Sequence, residues 1–210
     1  MLIIDTETTG LNGYPIDRVL EIGIAEYDEQ SGMISSVYSE MIRYADIVAF
    51  DKAYVNRDGS KGIWIYRHSD MCIEETLNAA KDLATVVDEV RDIVRGKEVT
   101  SYNVGFDFAK FLYEEPWDLK PIVVRKIDIM DLATKEVMRR ARSDSLPDKE
   151  LQTRLIREED ESKYPVKWVR SEDAYRALCP EDPMDLEKQT HRALDDAIME
   201  AWILKALVEE

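Results

Sequence analysis

The stretch LIIDTET, residues 2–8, constrains this chain more than any other. Leu2, Ile3 and Ile4 form an unbroken apolar run, the pattern of a strand covered on both faces of a sheet. Asp5 and Glu7 follow at once. Residues i and i+2 of a strand point to the same side, so two carboxylates crowd one face where the strand leaves the core. They repel one another and lose hydration there unless a cation or a proton is shared between them. Solvated acids at a frayed strand end are the plain alternative. Thr8, Thr9 and Gly10 argue against it, because small hydroxyls and a glycine let a ligand approach the backbone closely.

The rest of the chain supplies the sheet such a strand needs. Gly10, Asn12, Gly13 and Pro15 mark a loop. Residues 19–28 (VLEIGIAEYD) alternate as a strand with one apolar face built from Leu20, Ile22 and Ile24. Ser31-Gly32 is a hairpin turn signal and 33–43 the returning strand, whereas 44–72 read as irregular. Leu77, Ala80, Leu83, Ala84, Val87, Val90 and Val94 recur at helical spacing and predict a helix from Glu74 to Arg95, stopped by Gly96. A strand at 98–102, a helix at 106–114, and a short strand and helix within 122–140 follow. Residues 141–165 are the most polar segment and read as an excursion, partly helical, inserted in a single domain spanning 1–210. Helices are expected at 171–178 and 191–208, the last burying Leu194, Ala197, Ile198, Ala201, Leu204 and Val208 with Lys205 outside. The pattern is that of an α/β fold, a mixed β-sheet flanked by helices, whose ligands gather at the carboxyl ends of strands.

Composition narrows the chemistry. A net charge of −16 counts against broad, non-specific binding to a polyanion. It does not exclude a phosphodiester substrate, because carboxylates holding divalent cations present positive charge locally. Cys72 and Cys179 show no metal-binding spacing and no disulfide framework. No run approaches the roughly 18 apolar residues of a membrane span, so no membrane partner is expected. Asp5 interrupts the N-terminal apolar run before it could serve as a secretion signal, and the default setting is cytoplasmic.

Two further segments carry chemistry. In SYNVGFDFAKFL (101–112), Asp107 sits in the first turn of a helix, where the helix dipole alone would favour an acid. In QTHRALDDAIMEA (189–201), His191 stands where a helix begins, with Asp195 and Asp196 within two turns. Imidazole accepts a proton near neutral pH, as a general base must. Oxygen ligands of the Asp5–Glu7 kind suit Mg²⁺ or Mn²⁺ rather than zinc. A rival exists at the first stretch: LIIDTET approaches the DxDxT nucleophile motif of dehalogenase-type phosphatases, with Asp5 as nucleophile. Glu7 departs from that motif, and HRALDDA has no place in it.

Taken together, DTETTG, NVGFDFAKFL and HRALDDA resemble, in order and style, the three motifs of the DEDDh-type 3′–5′ exonucleases. That superfamily includes the proofreading subunit of the bacterial replicative polymerase, ribonuclease T and oligoribonuclease. The resemblance spans residues 2 to about 205; VLEIGIAEYD also looks like the family's second strand. It implies a ribonuclease-H-like fold and two divalent metal ions, Mg²⁺ or Mn²⁺, held by Asp5, Glu7, Asp107 and Asp196, with His191 as general base. Helical spacing would pair His191 with Asp195; the family pattern H-x-A-x-x-D-A selects Asp196. By the same analogy Thr8, Leu11, Asn103 and Phe106 contact the terminal nucleotides, although core packing accounts equally well for Phe106. The implied substrate is the 3′ end of single-stranded DNA or RNA, released as nucleoside 5′-monophosphates. A homodimer or a polymerase partner, and a non-catalytic role in a polymerase assembly, are compatible with the resemblance. All five catalytic positions being filled disfavours the last.

Overall fold

The computed structural model describes the chain except residues 126, 163, 180, 182, 183, 185–190 and 210. Strands β1 (Leu2–Thr8), β2 (Val19–Asp28), β3 (Met33–Arg43), β4 (Lys81–Asp82), β5 (Glu98–Thr100) and β6 (Val124–Arg125) form one mixed sheet in the order β4-β3-β2-β1-β5-β6. β1, β2 and β3 are an antiparallel meander, while β5 joins β1 and β6 joins β5 in parallel. The helices are α1 (Ile47–Ala53), α2 (Ile65–His68), α3 (Ile73–Asn78), α4 (Leu83–Val94), α5 (Val104–Asp107), α6 (Ile129–Arg142), α7 (Lys149–Ser162), α8 (Ser171–Leu178) and α9 (Ala193–Val208). α5 continues as a π turn over Phe108–Leu112, a widened turn common at functional sites.

The pleat divides β1 between two cores. Leu2 and Ile4 pack with Ile22 and Ile24 against Val86, Val87, Val90 and Val94 of α4 and against Phe108 and Phe111. Each valine so buried contributes about 1.5–3 kcal/mol before the cost of ordering it. Ile3 faces the other way, with Ala25 and Tyr27, into a core shared by α6, α7, α8 and α9. Asp5 and Glu7 continue the Ile3 face, so the β1 acids point toward α9.

Gly23 explains how closely α9 approaches. It pairs with Asp5 across β1–β2, and a Cβ placed on it would overlap the backbone of Ala193 and Leu194. Ala193, Ala197 and Ala201, one face at i, i+4 spacing, are fully buried. A small residue on the strand and a stripe of alanines on the helix bring the two backbones together beside the acids.

Several expectations change. β2 is covered on both faces rather than one, because α9 lies on the Glu21–Gly23–Ala25–Tyr27 side. The helix expected from Glu74 to Arg95 is two helices separated by β4. Asp82, in extended backbone, caps α4 by accepting from the Thr85 amide at 3.0 Å, and Lys81 is drawn out to Glu40 and Glu89. α5 begins at Val104, before Gly105, because the Asn103 side chain caps it and Asp128 accepts the Val104 amide. α9 buries Met199, Glu200 and Ile203 while Val208 is exposed and Lys205 is half-buried, donating to Gly32 O at 2.8 Å. That helix packs on the sheet with one side and on α6 and α8 with another, which widens its buried face. The irregular 44–72 segment contains α1 and α2 around an apolar cluster of Leu20, Ile47, Tyr54, Ile63, Ile65 and Met71. Within 141–165, α7 docks through Leu151 and Leu155. Gln189 and Thr190, which open the segment QTHRALDDAIMEA ahead of the third motif, lie outside the described residues. Among the described residues no helix is long and apolar enough to cross a membrane.

Candidate active site

Three elements deliver the acids. β1 carries Asp5 and Glu7, α5 carries Asp107 and α9 carries Asp196. Asp5, Glu7 and Asp196 each offer a carboxylate oxygen, and these oxygens lie within 4.8 Å of one another. Asp107 is buried and accepts the Thr6 hydroxyl at 2.7 Å. Asp195, one residue from Asp196, is exposed and takes no part in this group.

A fifth carboxylate completes the cluster. Glu200 is buried one helical turn beyond Asp196 and accepts the Tyr102 amide at 3.0 Å, tying α9 to the loop after β5. Its i+4 spacing from Asp196 is the sequence signal for it, since such residues share a helix face. Within a helix expected to be apolar on that side, the signal passes for an exposed acid.

Burial, and then the charges of Glu200, Asp107, Glu7 and Asp196, push the Asp5 carboxyl well above the carboxylate range. Burial followed by Asp196 does the same to Glu7, and burial followed by Asp107 to Glu200. Burial raises Asp107 to about 7, against the opposing hydrogen bond from Thr6. A compact set of half-buried oxygens whose strongest charged neighbours are other carboxylates fits hard divalent cations, whose charge removes the repulsion.

These shifts have a definite consequence for the metal-free protein. The folded state holds protons that the unfolded state releases between the ordinary aspartate value of 3.8 and the Asp107 value of about 7. Stability therefore falls as pH rises through that window and returns on acidification. In chelator, the melting temperature is expected to be lower at pH 7.5 than at pH 5.5, and divalent metal should abolish the difference. A metal-free melting temperature that climbs over this range would contradict the described cluster.

His191 sits outside the three-carboxylate group, at a left-handed φ of 48° that non-glycine residues seldom adopt. Its placement is set from below. The Arg192 guanidinium grips the buried Glu21 of β2 at 2.7–3.1 Å, and the Ala193 amide donates to the same carboxylate at 3.1 Å. Glu21 thus takes the place of a side-chain cap at the start of α9, satisfying an amide that the helix cannot.

A cleft of about 480 Å³ opens beside Glu7. Thr6, Thr8 and Leu11 line one side and Phe106 another; Leu11 is 59% exposed and available to a ligand. The Thr8 hydroxyl is turned to Gly10 O at 2.8 Å. Phe106 lies edge-on to Phe111 at 5.3 Å, so it packs on the core while one side lines the cleft. Asn103 does not line the cleft; its side chain caps α5 by accepting the Phe106 amide at 3.1 Å. The loop bearing Leu11 is clamped from both sides, by Lys110 at 2.6 Å and Arg57 at 3.3 Å on Leu11 O. Beneath it, the buried Asp17 gathers the Asn12 and Gly13 amides and the Tyr54 hydroxyl.

The far wall comes from the segment read as irregular. Tyr54, Asn56, Arg57 and Trp64 all line the cleft. Trp64 is 50% exposed and stacks on His68, ring centroids 4.4 Å apart and 6° from parallel. No periodicity marks these residues, because they act by position around α1 and α2 rather than as a regular face.

The fold matches solved nucleases along its whole length. The chain is similar to an E. coli exonuclease I–single-stranded DNA complex in its zinc ion bound form, with a TM-score of 0.61 and 17% identity, covering 100% of this chain and 40% of that one. It is also similar to the nuclease domain of 3'hExo, a DEDDh family member, bound to rAMP: TM-score 0.53, 14% identity, 99% of this chain and 90% of that one. At these identities the likeness is one of fold. In sequence, the chain is 32% identical over 119 residues to the DNA polymerase III subunit epsilon of Salmonella typhimurium, covering 54% of this chain and 42% of the relative. It therefore spans about two-fifths of the length of that curated relative. Residues 2–155, which include Asp5, Glu7 and Asp107, match the RNase T exonuclease family model, and with that match the dehalogenase reading of LIIDTET falls: the chain belongs to the RNase T family of exonucleases.

Proposed function

We propose that this protein is a 3′–5′ exonuclease that removes nucleoside 5′-monophosphates from single-stranded ends. The observation that carries the reading is the convergence of Asp5, Glu7 and Asp196 beside a cleft walled by Trp64 and Phe106. Asp5, Glu7, Asp107 and Asp196 would hold two divalent ions, Mg²⁺ or Mn²⁺. Such ions, when bound, polarise the phosphoryl group and lower the pKa of an attacking water.

The chain's own residues do the rest. Leu11, Phe106 and Trp64 hold the terminal nucleotides without hydrogen bonds to base edges, which suits a sequence-indifferent enzyme because every base has a face to stack. His191 takes the proton of the water that attacks phosphorus in line. The new bond joins the water oxygen to phosphorus, and the bond to the 3′ oxygen of the penultimate nucleotide breaks. Glu21 and Arg192 position the backbone from which His191 projects.

Two substitutions test these roles. Trp64→Ala should raise KM about tenfold with kcat nearly kept, since one lost stack is worth about 1–3 kcal/mol. His191→Ala should lower kcat roughly 10²-fold, the low end for a general base, while calorimetric metal binding is retained. Wild-type turnover near neutral pH in the His191→Ala protein would remove it from the base role.

The decisive experiment uses 5′-labelled DNA and RNA oligonucleotides with Mg²⁺, Mn²⁺ or chelator. A ladder shortening from the 3′ end, abolished by chelator, is the expected result; no metal-dependent shortening of either polymer would sink the reading. The fold relatives carry single-stranded DNA in one case and rAMP in the other, so both sugars belong in the assay. Similarity to a polymerase subunit makes a polymerase the first protein partner to test by co-elution.

A further inference from the structure

On a chain of net charge −16, one surface gathers arginines. A cavity of about 660 Å³ between α7 and α8 is lined by Arg154, Arg157, Arg170 and Arg176, with Asp148, Glu150 and Asp173 as its acids. Two of those acids have tasks of their own: Asp148 caps the Leu151 amide at 2.9 Å and Asp173 pairs with Arg154 at 2.7 Å. Among the described residues Arg157 pairs with Glu161 alone, at 4.0 Å. Arg170 and Arg176 are exposed and form no ion pair among the described residues.

The residues leading into Arg170 add a second, independent feature. In Tyr164–Arg170 (YPVKWVR), Tyr164 is 75% and Trp168 52% exposed, and the Lys167 ammonium lies 4.4 Å from the Trp168 ring centroid. Large aromatic faces left in water cost hydrophobic free energy, and a cation held against one marks a surface suited to flat, anionic polymers. An interhelical charge network would explain the arginines alone. It would not explain two exposed aromatic rings interleaved with cations.

This surface is tied to the active site. Val169 O accepts the Tyr102 hydroxyl at 2.7 Å, and the Tyr102 amide donates to Glu200 in the carboxylate cluster at 3.0 Å. The Val169 amide is fixed by Thr134 at 2.9 Å. One tyrosine thus spans from the acids to the residue before Arg170.

We propose that the Tyr164–Arg170 segment and the arginine cavity form a second contact surface for single-stranded nucleic acid, stacking bases and holding phosphates on the 5′ side of the terminal nucleotides. The proposal rests on the exonuclease reading for its polarity. Basic grooves with interleaved aromatic residues bind single strands without regard to sequence, and they bind longer strands better. The surface therefore makes the protein prefer long strands over very short ones.

The test compares a trimer with a 16-mer, each 5′-labelled and prepared as DNA and as RNA. Binding is read by fluorescence anisotropy in an Asp5→Asn background, and cleavage in the active protein. Trp168→Ala combined with Arg170→Glu and Arg176→Glu removes the surface; all three positions are exposed, and circular dichroism checks the fold. The preference for the 16-mer should fall about tenfold while trimer binding and trimer kcat/KM stay unchanged. The salt slope for the 16-mer should shrink by about 1.4 for the two arginines. An undiminished 16-mer preference in the triple variant would overturn the proposal. Displacement of the 16-mer by poly-glutamate at lower concentration than by unlabelled oligonucleotide would also overturn it, in favour of an acidic protein partner. Length-dependent binding lost in the variant, from a protein that cuts neither polymer, would uphold the surface and sink the exonuclease reading alone.

Discussion

Asp5→Asn should yield a folded protein that has lost at least about 10³-fold of its metal-dependent turnover, because the Lewis-acid contribution at such a site is worth several kcal/mol and about 4 kcal/mol is a factor of 10³. A second effect separates this loss from damage to the fold. Asp5 is pushed well above its ordinary pKa by burial and by four neighbouring carboxylates. A neutral isostere removes that repulsion, so in chelator near neutral pH the variant should melt at a higher temperature than the wild type. In divalent metal the order should reverse, since only the wild type gains from the ion. Turnover measured by mononucleotide release, with melting curves in both buffers, checks both halves. A variant that keeps most of its turnover would remove Asp5 from the metal site.

Gly23→Ala should be the most damaging single methyl in the sheet. No unusual backbone conformation requires glycine there; the space does. The added Cβ would meet the backbone of Ala193 and Leu194, which cannot swing aside as a side chain can. The helix must lift or the strand must bend. Overpacking of this kind costs about 3 kcal/mol at the upper end of its usual range, on the order of 10 °C in melting temperature for a chain of this size. Activity should fall further than stability, because α9 carries Asp196 and starts just after His191. A misplacement of about 1 Å at a reacting centre costs on the order of 10²-fold. Thermal unfolding and kcat measured on the same sample distinguish the two losses. A variant with an unchanged melting temperature would show that α9 does not lie as close to β2 as described.

Much of this site is legible in the sequence. LIIDTET announces a buried strand running into paired acids, and the β2–β3 hairpin, the mixed sheet and helix α8 follow the expected pattern. Asp196 is separable from Asp195 only through the resemblance, and the structure puts Asp196 with Asp5 and Glu7 while Asp195 faces solvent. Helical periodicity fails at 74–95 because the apolar spacing runs on across a break made by Asp82 and Lys81. The Lys81 partner Glu40 is distant in sequence, and no local pattern points to it. Glu200 is hidden for a similar reason: its value lies in a bond to Tyr102, 98 residues earlier.

The sequence by itself set out the chemistry to expect of this protein: which acids are candidates to bind a cation, which strand carries two of them and, through the family pattern, which histidine goes with the third. Those are properties of residue type and short-range order, written into the i, i+2 relation of Asp5 and Glu7 and the H-x-A-x-x-D-A pattern that opens α9. Tertiary structure alone decided the distances between them and the shape of what they face. Gly23 sets how near α9 comes, Glu21 holds its first turn, and Trp64 closes a cleft from a segment with no periodicity. Each of these acts through contacts between residues far apart in the chain, and packing of that kind leaves no pattern in the local sequence.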